Sequence, residues 1–197
     1  MGLIEEFESV YWKDNLDVLG LDEAGRGPMA GPLVVAGVIF PKGYNNPNIN
    51  DSKKLSEKKR QELVEVILKD ALYTDIEIVS VDTIDTLNIY AATKQAMIDI
   101  AKRAPQSIVL SDALPFEIDD KEVISVIKGD TRSLSIAAAS ILAKTKRDEI
   151  MIELDAIYPE YGFKNHKGYG TKKHKEAILK YGRLDIHRKS FRFKEEV

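Results

Sequence analysis

The chain has 197 residues, 44% of them hydrophobic, which suits one globular domain with a sizeable core. No apolar run approaches a membrane span, the lack of cysteine rules out disulfides and thiolate metal sites, and the acidic N-terminal stretch MGLIEEFESVYWKD is unlike a secretory signal. A cytoplasmic protein with no membrane contact is expected. Net charge is −3, yet residues 164–194 carry eleven Lys/Arg against two acids, a local +9 that leaves −12 elsewhere and argues against a uniformly basic binder.

Residues 17–22 read as a strand and 32–40 as a second, with the turn-rich DEAGRGPMAG between them. PKGYNNPNINDSK is a loop. Ser56 is the expected N-cap of a helix running to Asp70, in which Leu63, Val66 and Ile67 recur at helical spacing. Residues 74–81 alternate as a strand, and 82–103 read as one helix burying Ile89, Ala92, Ala96 and Ile100. Short buried strands are expected over 107–111, ending at Asp112, and over 123–127, ending near Asp130. Residues 133–157 form a long helix whose LSIAAASILA start is apolar almost all round, and so central. A short helix over 172–181 ends the pattern. Such an order predicts an α/β fold, a mixed sheet covered by helices, with its sites beyond the strand ends.

Asp22, Asp112 and Asp130 each follow a strand-like apolar segment, and Glu23 adjoins the first. In a continuing strand Asp22 and Glu23 point to opposite faces, so a shared ion needs the chain to turn there, and AGRG supplies a turn. Four carboxylates suit a hard divalent cation such as Mg²⁺, and two such ions roughly 3.5–4 Å apart suit phosphodiester hydrolysis. Each acid has a structural reading too: Asp130 as cap of the following helix, Asp112 as the start of a turn, Glu23 as partner of Arg26. Gly25, Arg26 and Gly27 let a backbone approach a ligand closely, or merely turn the chain; no P-loop or GxGxxG fingerprint is present. Tyr169, Tyr181, Phe191 and Phe193 interleave with the basic tail, which fits either a surface for phosphates and sugars or a solvated lysine-rich face. His166 and His174, with His187 beyond them, read as phosphate donors or surface residues, with metal ligands or acid–base groups as the alternative. Asp148 reads as a salt-bridge partner of Lys144 or Arg147.

DEAGRGPMAGPLVVA resembles the signature of the ribonuclease HII family, the type 2 ribonucleases H. INDSKKLS at 49–56, KGD at 128–130, SIAAASILAKTKRD at 135–148 and HKGYGTKKH at 166–174 resemble its further motifs, in the same order. The resemblance spans residues 17 to 190 and implies an RNase H-like fold: a five-stranded mixed sheet flanked by helices, with a small C-terminal helical segment. Residues 1–158 would be the catalytic domain and 159–197 a basic helical segment packed on it. The implied activity is endonucleolytic, on the RNA strand of RNA/DNA hybrids and 5′ of single ribonucleotides in duplex DNA. It uses Mg²⁺ or Mn²⁺ and leaves a 3′-hydroxyl and a 5′-phosphate. Asp22, Glu23, Asp112 and Asp130 match the family's catalytic, metal-holding acids. Gly25, Arg26 and Gly27 match the motif that reads the ribose 2′-hydroxyl, and Tyr169 the tyrosine that stacks on the sugar following the ribonucleotide. Ser52 and Lys53 are candidates for phosphate contacts. Ala113 departs from the glycine common after the third acid. No sliding-clamp motif of the QxxLxxFF kind is visible, so no clamp partner is expected, and a monomer is.

Overall fold

The computed structural model describes residues 7–195; residues 1–6 of the acidic N-terminal stretch, and residues 196–197, lie outside the described residues. A short helix, α1 (Glu8–Lys13), leads into strand β1 (Val18–Ala24), which pairs antiparallel with β2 (Leu33–Ile39). After α2 (Glu57–Asp70), β3 (Tyr73–Val79) adds antiparallel to the far side of β2. Helices α3 (Val81–Leu87) and α4 (Ile89–Arg103) follow. Strands β4 (Ile108–Asp112) and β5 (Val123–Val126) then extend the sheet in parallel from β1. The sheet has five strands in the order β3-β2-β1-β4-β5.

LVVAGVI in β2 is apolar throughout because both faces of the sheet are covered. Leu33, Val35 and Ile39 pack with Leu19 and Leu21 against Ala92, Ala96, Met97 and Ile100 of α4. Val34, Ala36 and Val38 meet Leu63 and Ile67 of α2, and Ala138, Ile141 and Leu142 of the 24-residue helix α5 (Leu134–Ile157). A Cβ at Gly20 would lie 2.3 Å from the Ile136 amide nitrogen, so the α5 backbone rests directly on β1. Small residues at the start of α5 make that approach possible.

Two local features differ from the sequence reading. The helix expected over 82–103 is two helices, broken at Asn88, whose φ is +68° and whose Oδ1 accepts from the Tyr90 and Ala91 amides. An asparagine tolerates that backbone and caps the next helix, offering what the helical period cannot register. Helix α1 falls where the sequence pattern predicts no element. Its Phe7, Tyr11 and Trp12 pack on Val18, Ile108, Leu110 and Ile136. Glu8, fully buried, accepts from Ser133 Oγ at 2.6 Å and the Ser135 amide at 2.8 Å, satisfying donors at the start of α5.

Beyond α5 come a single turn, α6 (Phe163–His166), and α7 (Lys172–Tyr181), capped by Thr171. Tyr161, Phe163, Ala177 and Ile178 form a cluster with Met29, Ala30 and Met151. The chain then returns to the β1–β2 connection: Arg188 N donates to Met29 O and Gly31 N to Ile186 O, at 2.9 and 2.8 Å. Among the described residues, no helix is long and apolar enough to cross a membrane.

Candidate active site

Strands β1 and β4 pair up to Leu21 and Ser111, and the next residue on each is an aspartate, Asp22 and Asp112. β1 keeps its ladder with β2 through Ala24, with Asp22 opposite Ala36 and Glu23 opposite Val35. The turn expected from AGRG is present, opening at Gly25 with φ +106°, but it follows both acids rather than separating them. β1 has already lost its pairing with β4 where Asp22 and Asp112 stand. A cavity of about 250 Å³ there is lined by Asp22, Glu23 and Asp112, with Gly25, Arg26 and Gly27 from the turn. Ser52 and Lys53, from a single 3₁₀ turn after the long loop, and Tyr169, from the α6–α7 connection, complete that wall.

Asp130 is not a lining residue. It lies buried in the 3₁₀ turn Gly129–Thr131, behind Lys53, whose Nζ donates to its Oδ2 at 3.1 Å. It does not cap α5; Ser133 does, its Oγ accepting from the Ile136 amide. Asp112 Oδ1 accepts from the Gly129 amide at 2.7 Å, which ties the third acid to the fourth. Glu23 pairs with Arg26 at 3.6 Å, one of its structural readings.

Burial first, then the charges of Glu23 and Asp112, push the Asp22 carboxyl well above the usual range, against the Ser140 hydroxyl and the Glu23 amide. Burial drives Glu23 up to about 7, with Arg26 opposing and Asp112 adding. Asp112 is raised by burial and by Asp130, while the Gly129 amide, Lys53 and Arg26 pull the other way. Among the described residues, no three acidic or histidine side chains close into a metal cage as they stand. The donor set still fits a hard divalent cation: crowded carboxylates, no thiol, and a buried Glu23 Oε2 with no hydrogen-bond partner.

Ser140, Lys144 and Arg147 also line the cavity, though the sequence pattern points to none of them as site residues. Ser140 Oγ lies 3.0 Å from Ser52 Oγ, linking the loop to Asp22. A serine within an almost wholly apolar helix start was the available signal. Asp148 pairs with Lys144 at 2.7 Å and with Arg60 at 3.4 Å, not with Arg147. Arg60 Nη1 reaches the Ser52 and Leu55 carbonyls, so this network holds the Lys53 turn onto α5.

The basic tail is less outward-facing than its charge suggests. Arg188 is buried against main-chain carbonyls, and His174 and His187 are buried with their Nε2 atoms 3.1 Å apart. His166, half-buried, stacks on His174 with ring centroids 4.5 Å apart. Neither reading of these two buried histidines, as phosphate donors or as surface residues, survives.

A mixed sheet with acids at the ends of its parallel central pair, closed by a helix laid on β1, defines a protein of the ribonuclease H fold. The ribonuclease H2 of Pyrococcus horikoshii OT3 shares the fold with a TM-score of 0.76 at 23% identity, over 89% of this chain and 94% of that one. A chain of the PCNA:RNase HII complex from Archaeoglobus fulgidus gives 0.75 at 27% identity, over 92% and 98%. The Ribonuclease HII of Clostridioides difficile (strain 630) is 54% identical over 184 residues, 92% of this chain and 72% of that protein. Residues 19–194 match the family described as Ribonuclease HII, and the chain belongs to that family. It is a phosphodiester hydrolase with the RNase H activity of its family on RNA/DNA hybrids, in a family that depends on divalent metal.

Proposed function

We propose that the enzyme also cuts 5′ of single ribonucleotides embedded in duplex DNA, leaving a 3′-hydroxyl and a 5′-phosphate. The observation that carries this is one cavity in which Asp22, Glu23 and Asp112 meet a glycine turn, Lys53 and Tyr169. Asp22, Glu23, Asp112 and Asp130 would hold Mg²⁺ or Mn²⁺. Two such ions, when bound, activate a water and stabilise the leaving oxygen in phosphodiester hydrolysis.

The remaining chemistry belongs to the chain. Gly25 and Gly27 present main chain rather than bulk to the sugar, whose 2′-hydroxyl is both donor and acceptor and distinguishes RNA from DNA. Tyr169, 47% exposed and 3.5 Å from where a Gly27 Cβ would lie, is the ring available to pack on the following sugar. Lys53, with its side chain 77% exposed, offers its ammonium to a backbone phosphate. Ser52 is buried against Ser140, so it serves the site by anchoring that turn as well as by any phosphate contact. Exposed lysines of the tail add sequence-independent attraction to phosphates.

The enzyme acts as a monomer in the cytoplasm, with no clamp partner, and residues 159–197 work as part of the catalytic body. The test is nicking of duplex DNA carrying one ribonucleotide, with Mg²⁺ or Mn²⁺, beside an all-DNA control. Nicking of the first alone is expected; no nicking of the first by folded protein under either metal sinks the proposal.

A further inference from the structure

Two guanidinium groups lie buried beside the proposed sugar-reading turn, and among the described residues neither has a salt-bridge partner. Arg188 is 0% exposed and Arg147 1%. Buried arginines are ordinarily paired with acids, because desolvating a lone cation is costly. These two spend their donors on main chain instead. Arg188 Nη2 donates to Gly25 O at 2.7 Å and Nη1 to Arg26 O at 3.2 Å. Its Nε and Nη2 reach Gly31 O, and Nη2 also reaches Pro32 O. Arg147 holds Pro32 O, Ala30 O and Lys167 O at 2.9–3.1 Å.

The consequence is directional. In a trans peptide the carbonyl and the following N–H point oppositely, and no peptide in the described chain is cis. Carbonyls of Gly25 and Arg26 drawn toward Arg188 therefore turn the amides of Arg26 and Gly27 away from it, and both residues line the cavity.

The neighbouring residue reaches the other reading element. His187 Nδ1 accepts from the Leu184 amide, which leaves its proton on Nε2, facing His174 Nε2. His174 Nδ1 in turn donates to Tyr169 O at 2.9 Å. One dipeptide thus holds both the glycine turn and, through His174, the tyrosine.

We propose that Arg188 is a positioning residue for ribose recognition: it holds the Gly25 and Arg26 carbonyls so that the Arg26 and Gly27 amides face the sugar. This rests on the reading of Gly25–Gly27 as the sugar-reading turn. Arg188→Lys and Arg188→Gln in the full chain test it, because an ammonium keeps the charge but not the planar fork of donors.

With folding checked by circular dichroism and melting, the single-turnover rate at one ribonucleotide in duplex DNA is expected to fall at least tenfold in Arg188→Lys. Affinity for all-DNA duplex should stay within twofold. A wild-type rate per folded molecule overturns the proposal. Should both variants fail to fold, nitrogen-resolved spectra of the wild type decide: separate, slowly rotating Arg188 Nη protons support the clamp, and a freely rotating group refutes it. If the wild type cuts the all-DNA control as fast as the ribonucleotide substrate, the sugar-reading role fails independently. The clamp is then judged by amide exchange at Arg26 and Gly27, faster in Arg188→Lys if it holds and unchanged if it does not.

Discussion

Asp22 lies two residues beyond Gly20 on the face of β1 that meets α5, so the approach that leaves no room for a side chain at Gly20 also desolvates the carboxylate. Glu23 and Asp112 add like charge. A buried, mutually repelling acid costs stability in the metal-free protein, a cost accepted where function needs it. Asp22→Asn should therefore abolish metal-dependent cleavage while raising the metal-free melting midpoint at neutral pH, by about 2–4 °C for each kcal/mol of strain removed. Calorimetry without metal, paired with a nicking assay, checks both halves. Tyr169→Ala should weaken cutting at a single ribonucleotide more than cutting of a long hybrid, the difference being on the order of 1–3 kcal/mol for a lost stacking ring. Equal losses on both substrates would remove the proposed packing of Tyr169 on the sugar after the ribonucleotide. At this scale Asp22 was the most legible, because an acid straight after an apolar strand has few structural uses. Arg188 was not, since within a basic tail its charge reads as phosphate binding, and only the fold reveals the carbonyls it meets.

Elements were legible wherever an apolar run or a helical period continued unbroken, as in β2 or α2, and were misread where a side chain substitutes for backbone. Asn88 is such a place. Asn88→Ala loses the cap on α4 and keeps the positive φ, so it should cost about 1–2 kcal/mol in chemical denaturation, with Asn88→Gly much milder. Helix α1 is another. Six residues carry too little pattern to stand out, yet Glu8 serves donors of the Ser133–Ser135 segment from 125 residues away. Removing its charge-assisted bonds in Glu8→Ala should cost about 2–3 kcal/mol. The same change should loosen the Asp130 turn just before α5. Denaturant midpoints report the first effect, and amide exchange at Gly129–Thr131 the second.

At the scale of the whole molecule, the tail packs onto the catalytic body. Tail-derived side chains fill the cluster around Met29 and Met151, so residues after 158 should melt with the sheet in one transition. Two resolved transitions in calorimetry would show instead that the segment folds independently. Acid should weaken this docking through His174, whose burial holds its imidazole down to about 4 from an ordinary 6.5. Between those values the unfolded chain binds a proton that the folded one refuses. The stability His174 contributes is thus complete above pH 6.5 and lost as pH falls towards 4. The melting advantage of wild type over His174→Gln should shrink across that window; a constant gap would mean the ring is not held neutral.

The separation of Arg188 from the carbonyl of Gly25, 163 residues along the chain, also has a meaning in time. At usual rates of synthesis the turn leaves the ribosome's catalytic centre roughly 10–30 s before the side chain that fixes it. If Arg188 sets the turn as proposed, a nascent chain carries Asp22 and Glu23 long before it can tell a ribose from a deoxyribose. The nuclease would then acquire its discrimination last.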